Sequence, residues 1–225
     1  MKKILMIPAS LLLLITFIPN VKAQEVSAGL DIYSSYIWRG AKFGTGPAFQ
    51  PSVEFSAGGF AIGGWGSFSA GHEEAAESDL YASYSLDLGE KASLSFTVTD
   101  YYFPGSMYFS SESHSIEPMV SLGVGGFTFT AAYMEGLGDN DVNSISDLYL
   151  QAAFSAGPVD LTIGGGNGQY SYEDEGEDDK FAISNIGVGT SKEIKITDSF
   201  SLPISGSVIL NPSTEQLYVV VGISF

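Results

Sequence analysis

From residue 26 onward, apolar and polar residues alternate along this chain with a period of two. Val26, Ala28, Leu30 and Ile32 alternate with Ser27, Gly29, Asp31 and Tyr33, and the run continues through Ser34, Tyr36 and Trp38 against Ser35, Ile37 and Arg39. Successive side chains of a strand point to opposite faces, so one face here is apolar and ends in aromatics. The other is small, polar and charged. The same rhythm returns in Phe49, Pro51, Val53 and Phe55, in Phe60, Ile62 and Phe68, in Leu80, Ala82, Tyr84 and Leu86, and in Leu94, Phe96 and Val98. The second half repeats it in Ile116, Pro118, Val120 and Leu122, in Phe127, Phe129 and Tyr133, in Leu148, Leu150 and Phe154, and in Val159, Leu161 and Ile163. It closes in Phe200, Leu202, Ile204 and Val208, then in Leu217, Val219, Val221, Ile223 and Phe225. Within residues 181–190, Ile186 and Val188 fall out of phase with Phe181 and Ile183, which predicts a β-bulge. Helical periodicity is nearly absent from the same stretch of chain.

About twelve segments result, and their connectors alternate in character. Those after odd segments are long and acidic, and those after even segments are mostly short turns such as Gly58-Gly59, Gly125-Gly126 and Gly157-Pro158. A soluble sandwich has no reason for that alternation. A membrane barrel has one: an even strand number, short turns on one side, long loops on the other and about ten residues per crossing. The predicted fold is therefore all-β, a transmembrane antiparallel up-and-down β-barrel of about twelve strands, formed by residues 24–225 as a single domain. Closure also satisfies the backbone hydrogen bonds in lipid, which an open sheet cannot do. The competing fold is a soluble periplasmic sandwich or lipocalin-like barrel, whose polar faces must suit bulk water. Here those faces hold Ser, Thr, Gly, Gln and Tyr with almost no Lys.

The first residues bear on the compartment. Lys2 and Lys3 precede an apolar stretch over residues 4–18, and Val21-Lys22-Ala23 offers small residues before Gln24. Residues 1–23 thus read as a cleaved signal peptide. The apolar stretch contains Pro8 and falls short of the roughly 20 residues of a spanning helix. There is no cysteine, hence no lipoprotein thiol and no disulfide framework. The formal charge is -17, and it becomes -20 once the leader's Lys2, Lys3 and Lys22 are removed. Such a chain repels nucleic acid, which excludes that partner. Apolar residues make up 44% and aromatics 13%, which excludes disorder as the meaning of the acidity.

Several stretches carry a resemblance. They are Ser35-Tyr36-Ile37-Trp38-Arg39-Gly40, Pro47-Ala48-Phe49-Gln50, Gly63-Gly64-Trp65-Gly66-Ser67, Glu77-Ser78-Asp79-Leu80-Tyr81 and Tyr101-Tyr102-Phe103-Pro104-Gly105. In this order the first half of the chain resembles the TorF family of porins, and the second half is similar mainly in strand rhythm. The resemblance implies an outer-membrane barrel with a pore and no catalytic residues. An apolar alternation ending on Phe225 likewise resembles the assembly signal of outer-membrane barrels. It implies the barrel-assembly machinery as a partner in biogenesis and outer-membrane lipid around the folded chain.

With the apolar faces against lipid, the lumen receives Asp31, Tyr33, Arg39, Gln50, Glu54, Asp79, Tyr81, Glu117, Asp147, Tyr149 and Asp160. Arg39 is the only arginine, and inside a barrel it has to pair with carboxylates. Two roles are open to it: a charged constriction that selects solutes, or a tie that holds the interior together. Tyr36 and Trp38 are expected in the aromatic girdle, facing lipid near the outer interface. Twelve strands lie between the side-chain-filled barrels of eight and the open channels of 16 to 18, so the acidic lumen is expected either as a narrow pore or as a plugged interior. It favours cations and weakly charged solutes.

The expected function is porin-like passive diffusion of small solutes. A non-conducting structural or surface-interaction barrel is the alternative, and an outer-membrane hydrolase a minor one. The hydrolase has only His72 and His114 to draw on, without a G-x-S-x-G motif, so no enzyme is expected. No cofactor or metal is expected either. The acidic stretch 173–179 lacks EF-hand spacing, and no helix follows Gly164-Gly165-Gly166 to cradle a phosphate.

Overall fold

The computed structural model describes residues 24–71, 76–138, 146–171 and 180–225. The expected signal peptide, His72 and the acidic stretch 173–179 lie outside the described residues. The strands are β1 (Gln24–Tyr33), β2 (Tyr36–Trp38), β3 (Ala41–Phe43), β4 (Ala48–Ala57), β5 (Phe60–Ser69), β6 (Ala76–Asp87) and β7 (Ala92–Tyr102). They continue as β8 (His114–Val124), β9 (Phe127–Gly136), β10 (Ser146–Ala156), β11 (Val159–Gly166), β12 (Ala182–Lys195), β13 (Ser201–Asn211) and β14 (Gln216–Ser224). Twelve of them close into one antiparallel barrel in the order β1-β14-β13-β12-β11-β10-β9-β8-β7-β6-β5-β4, while β2 and β3 pair only with each other.

The period-two pattern sorts the two faces of the wall. Val53, Leu80, Phe96, Phe129, Leu150, Val188 and Val219 are exposed on the outside. Their neighbours Ser52, Asp79, Ser95, Thr130, Gln151, Gly187 and Val220 point inward on the same register. The buried core is therefore inside the barrel, where Tyr101, Ala132, Met134, Tyr149 and Tyr170 are each at most 9% exposed. At the end holding both described termini, hereafter the turn end, β4–β5, β8–β9 and β10–β11 are joined by tight turns. Their Gly58, Gly125 and Gly157 take positive φ angles.

The opposite, loop end departs from the sequence expectation twice. The connector from β13 to β14 is short, although it follows an odd segment. Asn211 makes it so, because its side-chain carbonyl accepts from the amides of Ser213 (3.0 Å) and Thr214 (3.2 Å). The second departure reshapes the molecule. β1 stops at Tyr33 and does not run on to Trp38. Ser34 stays bonded to β14, donating its amide to Val221 O (2.8 Å) and accepting the Val221 amide on its hydroxyl (3.1 Å). The chain then turns inward, forms the β2–β3 hairpin inside the barrel, and rejoins the wall at Ala48, which pairs directly with Tyr33.

The predicted bulge is present. Gly164 pairs with Asn185 and Gly165 with Ile183, which leaves Ser184 as the extra residue on β12. A short 3-10 turn at Gly168–Tyr170 also reaches the interior, with Tyr170 buried.

Candidate functional site

The hairpin turns on Arg39 and Gly40, at φ 50° and 87°, between the paired residues Trp38 and Ala41. Two successive positive φ angles define the turn type that matches strand twist, and glycine adopts them without strain. At Gly40 no other residue fits, because a Cβ would overlap the Ser184 carbonyl. Two wall residues close on the tip. Ser184 donates its hydroxyl to the Arg39 carbonyl (3.1 Å), and Asn211 donates its side-chain amide to the Gly40 carbonyl (3.1 Å). The bulge in β12 has a visible use: it turns the supernumerary Ser184 inward to meet the hairpin.

The Arg39 side chain reaches the far wall. Its guanidinium donates to both carboxylate oxygens of Glu117 on β8, at 2.6 and 2.9 Å, and to the Tyr170 hydroxyl at 2.7 Å. Tyr101 donates its hydroxyl to the same carboxylate at 3.2 Å. The guanidinium lies 4.5 Å from the Trp38 ring centre and 4.3 Å from that of Tyr149, within cation–π range of both. The two charged side chains are 11% and 2% exposed. Burial by itself favours loss of the Arg39 proton, but the Glu117 bond and the surrounding negative potential outweigh it and raise its pKa. Arg39 is thus a permanently charged tie between the hairpin and the opposite wall, and its charge is already matched.

The girdle placement of Tyr36 and Trp38 is corrected. Both lie inside the barrel. The Tyr36 ring packs 5.6 Å from Trp65 and 5.3 Å from Phe43, and its hydroxyl donates to Glu77 at 3.4 Å. Trp38 packs 5.9 Å from both Tyr101 and Tyr170. The physical reason is the break at Ser34-Ser35, after which the face count begun at Val26 no longer applies. Burial comes first among the causes that push the Tyr36 hydroxyl well above its usual range, followed by the nearby Glu77 and Asp79 charges, so it remains a donor.

On the outside of the loop end the aromatics are Tyr102, Tyr108 and Phe109, with Phe109 99% exposed. His114 clasps this loop. Its ring nitrogens meet the Asp100 carboxylate at 2.7 Å and the Tyr108 carbonyl at 2.6 Å.

The remaining expected lumen residues all point inward, and most are engaged. Asp31 sits opposite Gln50 across β1 and β4. Gln50 donates to the Ser67 hydroxyl (3.2 Å), and Tyr81 donates to Glu54 (2.8 Å). Asp147 accepts the Gln169 amide (3.2 Å) and so holds the 3-10 turn. Asp160 accepts from Ser155 (2.6 Å) at the turn end, and Tyr149 is the ring beneath Arg39. Tyr33 lies over Gly222, where a Cβ would strike its ring. Asp79 is buried beside Glu77, two residues away on the same face. Phe225 bonds through its backbone to Leu30 and exposes its ring on the outer face.

Sequence reasoning missed Glu77, Tyr101, Tyr170, Ser184 and Asn211. Glu77 shares the face of Asp79, and Tyr101 that of Thr99, so both were within reach of the period-two count. Ser184 sits at the predicted bulge of β12, where the phase shift marks the place but not the residue. Tyr170 and Asn211 lie in or beside loops, where no such signal exists.

Over residues 20–202 the chain matches the family described as "Bacterial protein of unknown function (Gcw_chp)", and it belongs to that family. No curated protein matches it at a significant level. Among solved structures it is similar to a crystal structure of OccD1 (OprD) carrying two substitutions, at 12% identity and a TM-score of 0.39. That likeness covers 90% of this chain and 65% of the other, so the chain spans less than two thirds of the length of that structure.

Proposed function

We propose that this member of a bacterial family of unknown function is a porin-like outer-membrane barrel that passes small solutes by diffusion past its internal hairpin. The observation that carries the reading is the hairpin itself, a segment drawn out of the wall and fixed across the lumen by Arg39, Ser184 and Asn211. It narrows the barrel interior at the loop end. Support for the membrane setting comes from the outer face, an apolar band running round the whole barrel. Exposed apolar surface of that extent is unfavourable in water and suited to lipid. Both termini then lie on the periplasmic side, and the loop end faces outward. The resemblance of the first half to TorF-family porins agrees with this reading.

Selectivity follows from the charges left over. Glu117 is matched by Arg39, whereas Asp31, Glu54, Glu77 and Asp79 face inward without an ion pair among the described residues. The lumen therefore favours small cations and neutral solutes.

One observation favours a second reading, a non-conducting barrel: large rings, Trp38, Tyr101, Tyr149 and Tyr170, fill the space around the hairpin. Planar-bilayer conductance separates the two. Because Tyr33 and Ala48 are directly paired, residues 34–47 can be replaced by an Asn-Gly turn that joins β1 to β4. The expected outcome is small, cation-preferring steps for the native protein and larger, less selective steps for the shortened one. A silent native protein with a conducting variant would establish the non-conducting reading, and silence of both would sink the pore.

A further inference from the structure

We propose that the cavity between the hairpin and β6–β9 binds a small organic ammonium ion. The inference deepens the porin reading by naming a solute class for the lumen, and its place in transport rests on that reading. The cavity is recessed but partly open and measures about 80 Å³, against the roughly 10–15 Å³ that a single water needs. A cation of a few heavy atoms fits. Phe103, just past the end of β7, and Ser115, near the start of β8, place the cavity under the loop-end rim.

Beside Ser115, Met134 and Gln169, its lining carries two chemistries suited to a cation. Trp38, Phe43, Tyr101 and Phe103 contribute four aromatic rings, and Glu77 contributes a carboxylate. Ring faces attract a cation within about 6 Å, most strongly when it has shed its water. Glu77 is 5% exposed, and its hydrogen bond from the Tyr36 hydroxyl is long, at 3.4 Å. Asp79, two residues along the same face, is 6% exposed, and one of its carboxylate oxygens is buried with no hydrogen-bond partner.

Glu77 and Asp79 are hydrogen-bonded to each other, so a linked pair of carboxyl groups is held out of water with no ion pair among the described residues. Arg39 is committed to Glu117, His114 to Asp100, and Lys195 to Asp198. A carboxyl pair that shares one proton still carries one negative charge, and holding it out of water without a cation is costly, so this corner of the lumen attracts positive charge. A metal ion suits it poorly. No group of three metal-ligating side chains exists among the described residues, and ring faces offer no oxygen ligands. An alkylammonium ion meets both demands, with its charge toward Glu77 and its methyl or methylene groups against the rings.

The chain carries its own reporter. It has two tryptophans: Trp38 in the cavity wall, and Trp65, whose ring lies 5.6 Å from Tyr36. Trp65→Phe leaves Trp38 as the single emitter. Detergent-solubilised Trp65→Phe protein is titrated with tetramethylammonium chloride and with ethylammonium chloride at constant ionic strength. Sodium chloride and uncharged tert-butanol serve as controls. A saturable change in Trp38 emission is expected with at least one ammonium salt and with neither control. Glu77→Gln, which keeps the shape and removes the charge, is expected to weaken binding at least tenfold. Phe43→Leu is expected to weaken it several-fold, and provides the reading if Glu77→Gln fails to fold. Asp198→Asn on the turn-end surface leaves it unchanged. No saturable change, an equal response to sodium or tert-butanol, or full binding by both cavity variants would overturn the proposal. Saturable binding in a protein silent in bilayers would keep the site and remove the pore. Conductance without binding would remove the site alone.

Discussion

Arg39 sits at φ 50°, in the left-handed region where a side chain with a Cβ gives up roughly 1–2 kcal/mol. The conformation persists because its surroundings over-determine it. Two bonds to Glu117, one to Tyr170 and two ring faces all need the guanidinium at one point. Removing the cation alone is therefore worse than removing the pair. Arg39→Ala leaves Glu117 buried and uncompensated and is expected to cost about 3–5 kcal/mol. The double change Arg39→Met with Glu117→Gln is expected to cost clearly less. Arg39→Lys should fall near the alanine variant, because a point charge cannot reproduce the two-pronged fork. Denaturant unfolding of the purified barrel measures all three, and a double variant no better than Arg39→Ala would refute the account. Pairing of the only arginine with an inward carboxylate was legible in the sequence, since a lone buried charge is untenable. That Glu117 would be the partner was not, because Arg39 occupies a turn and has no strand register to count from.

At the scale of elements, the hairpin and the bulge are one device. Ser184 is spare in the β11–β12 register and caps the hairpin tip, while Asn211 both shapes the β13–β14 turn and bonds Gly40. Ser184→Ala and Asn211→Ala each remove one tip bond and should cost about 1 kcal/mol. Gly40→Ala should loosen the hairpin further, because a methyl group there meets the Ser184 carbonyl at a φ that disfavours it. Hydrogen exchange is the measurement. Amides of β2 and β3 are expected to exchange faster in all three variants while those of β6–β9 stay unchanged. Equal acceleration throughout the wall would show that the tip bonds support the whole barrel and not the hairpin. The bulge was readable because it shifts the phase of four apolar residues, Phe181, Ile183, Ile186 and Val188. The hairpin was not. Its strands are three residues long, and Ser34-Ser35 keeps the alternation going across the very point where the chain leaves the wall.

For the whole molecule, the proposed membrane setting turns on which face meets lipid, and adjacent residues near the middle of β10 test it. Leu150 is 42% exposed on the outer face, and Gln151 points inward. On that reading Leu150→Arg is expected to lose about 2–4 kcal/mol of folding stability in lipid vesicles, and Gln151→Arg considerably less. The reverse order would place the apolar face against something other than lipid. The barrel itself was determined by the sequence alone. Period-two alternation with Gly turns is a local property, and repeating it around a closed sheet leaves an apolar outside and a polar inside whatever the details. What occupies the interior was decided only by tertiary structure. Whether Tyr36 and Trp38 face lipid or lumen depends on one change of direction at Ser34-Ser35. That turn is stabilised by bonds to Val221, Ser184, Asn211 and Glu117, from 78 to 187 residues away. No local pattern carries such contacts, because each exists only after the barrel has brought its distant strands around the hairpin.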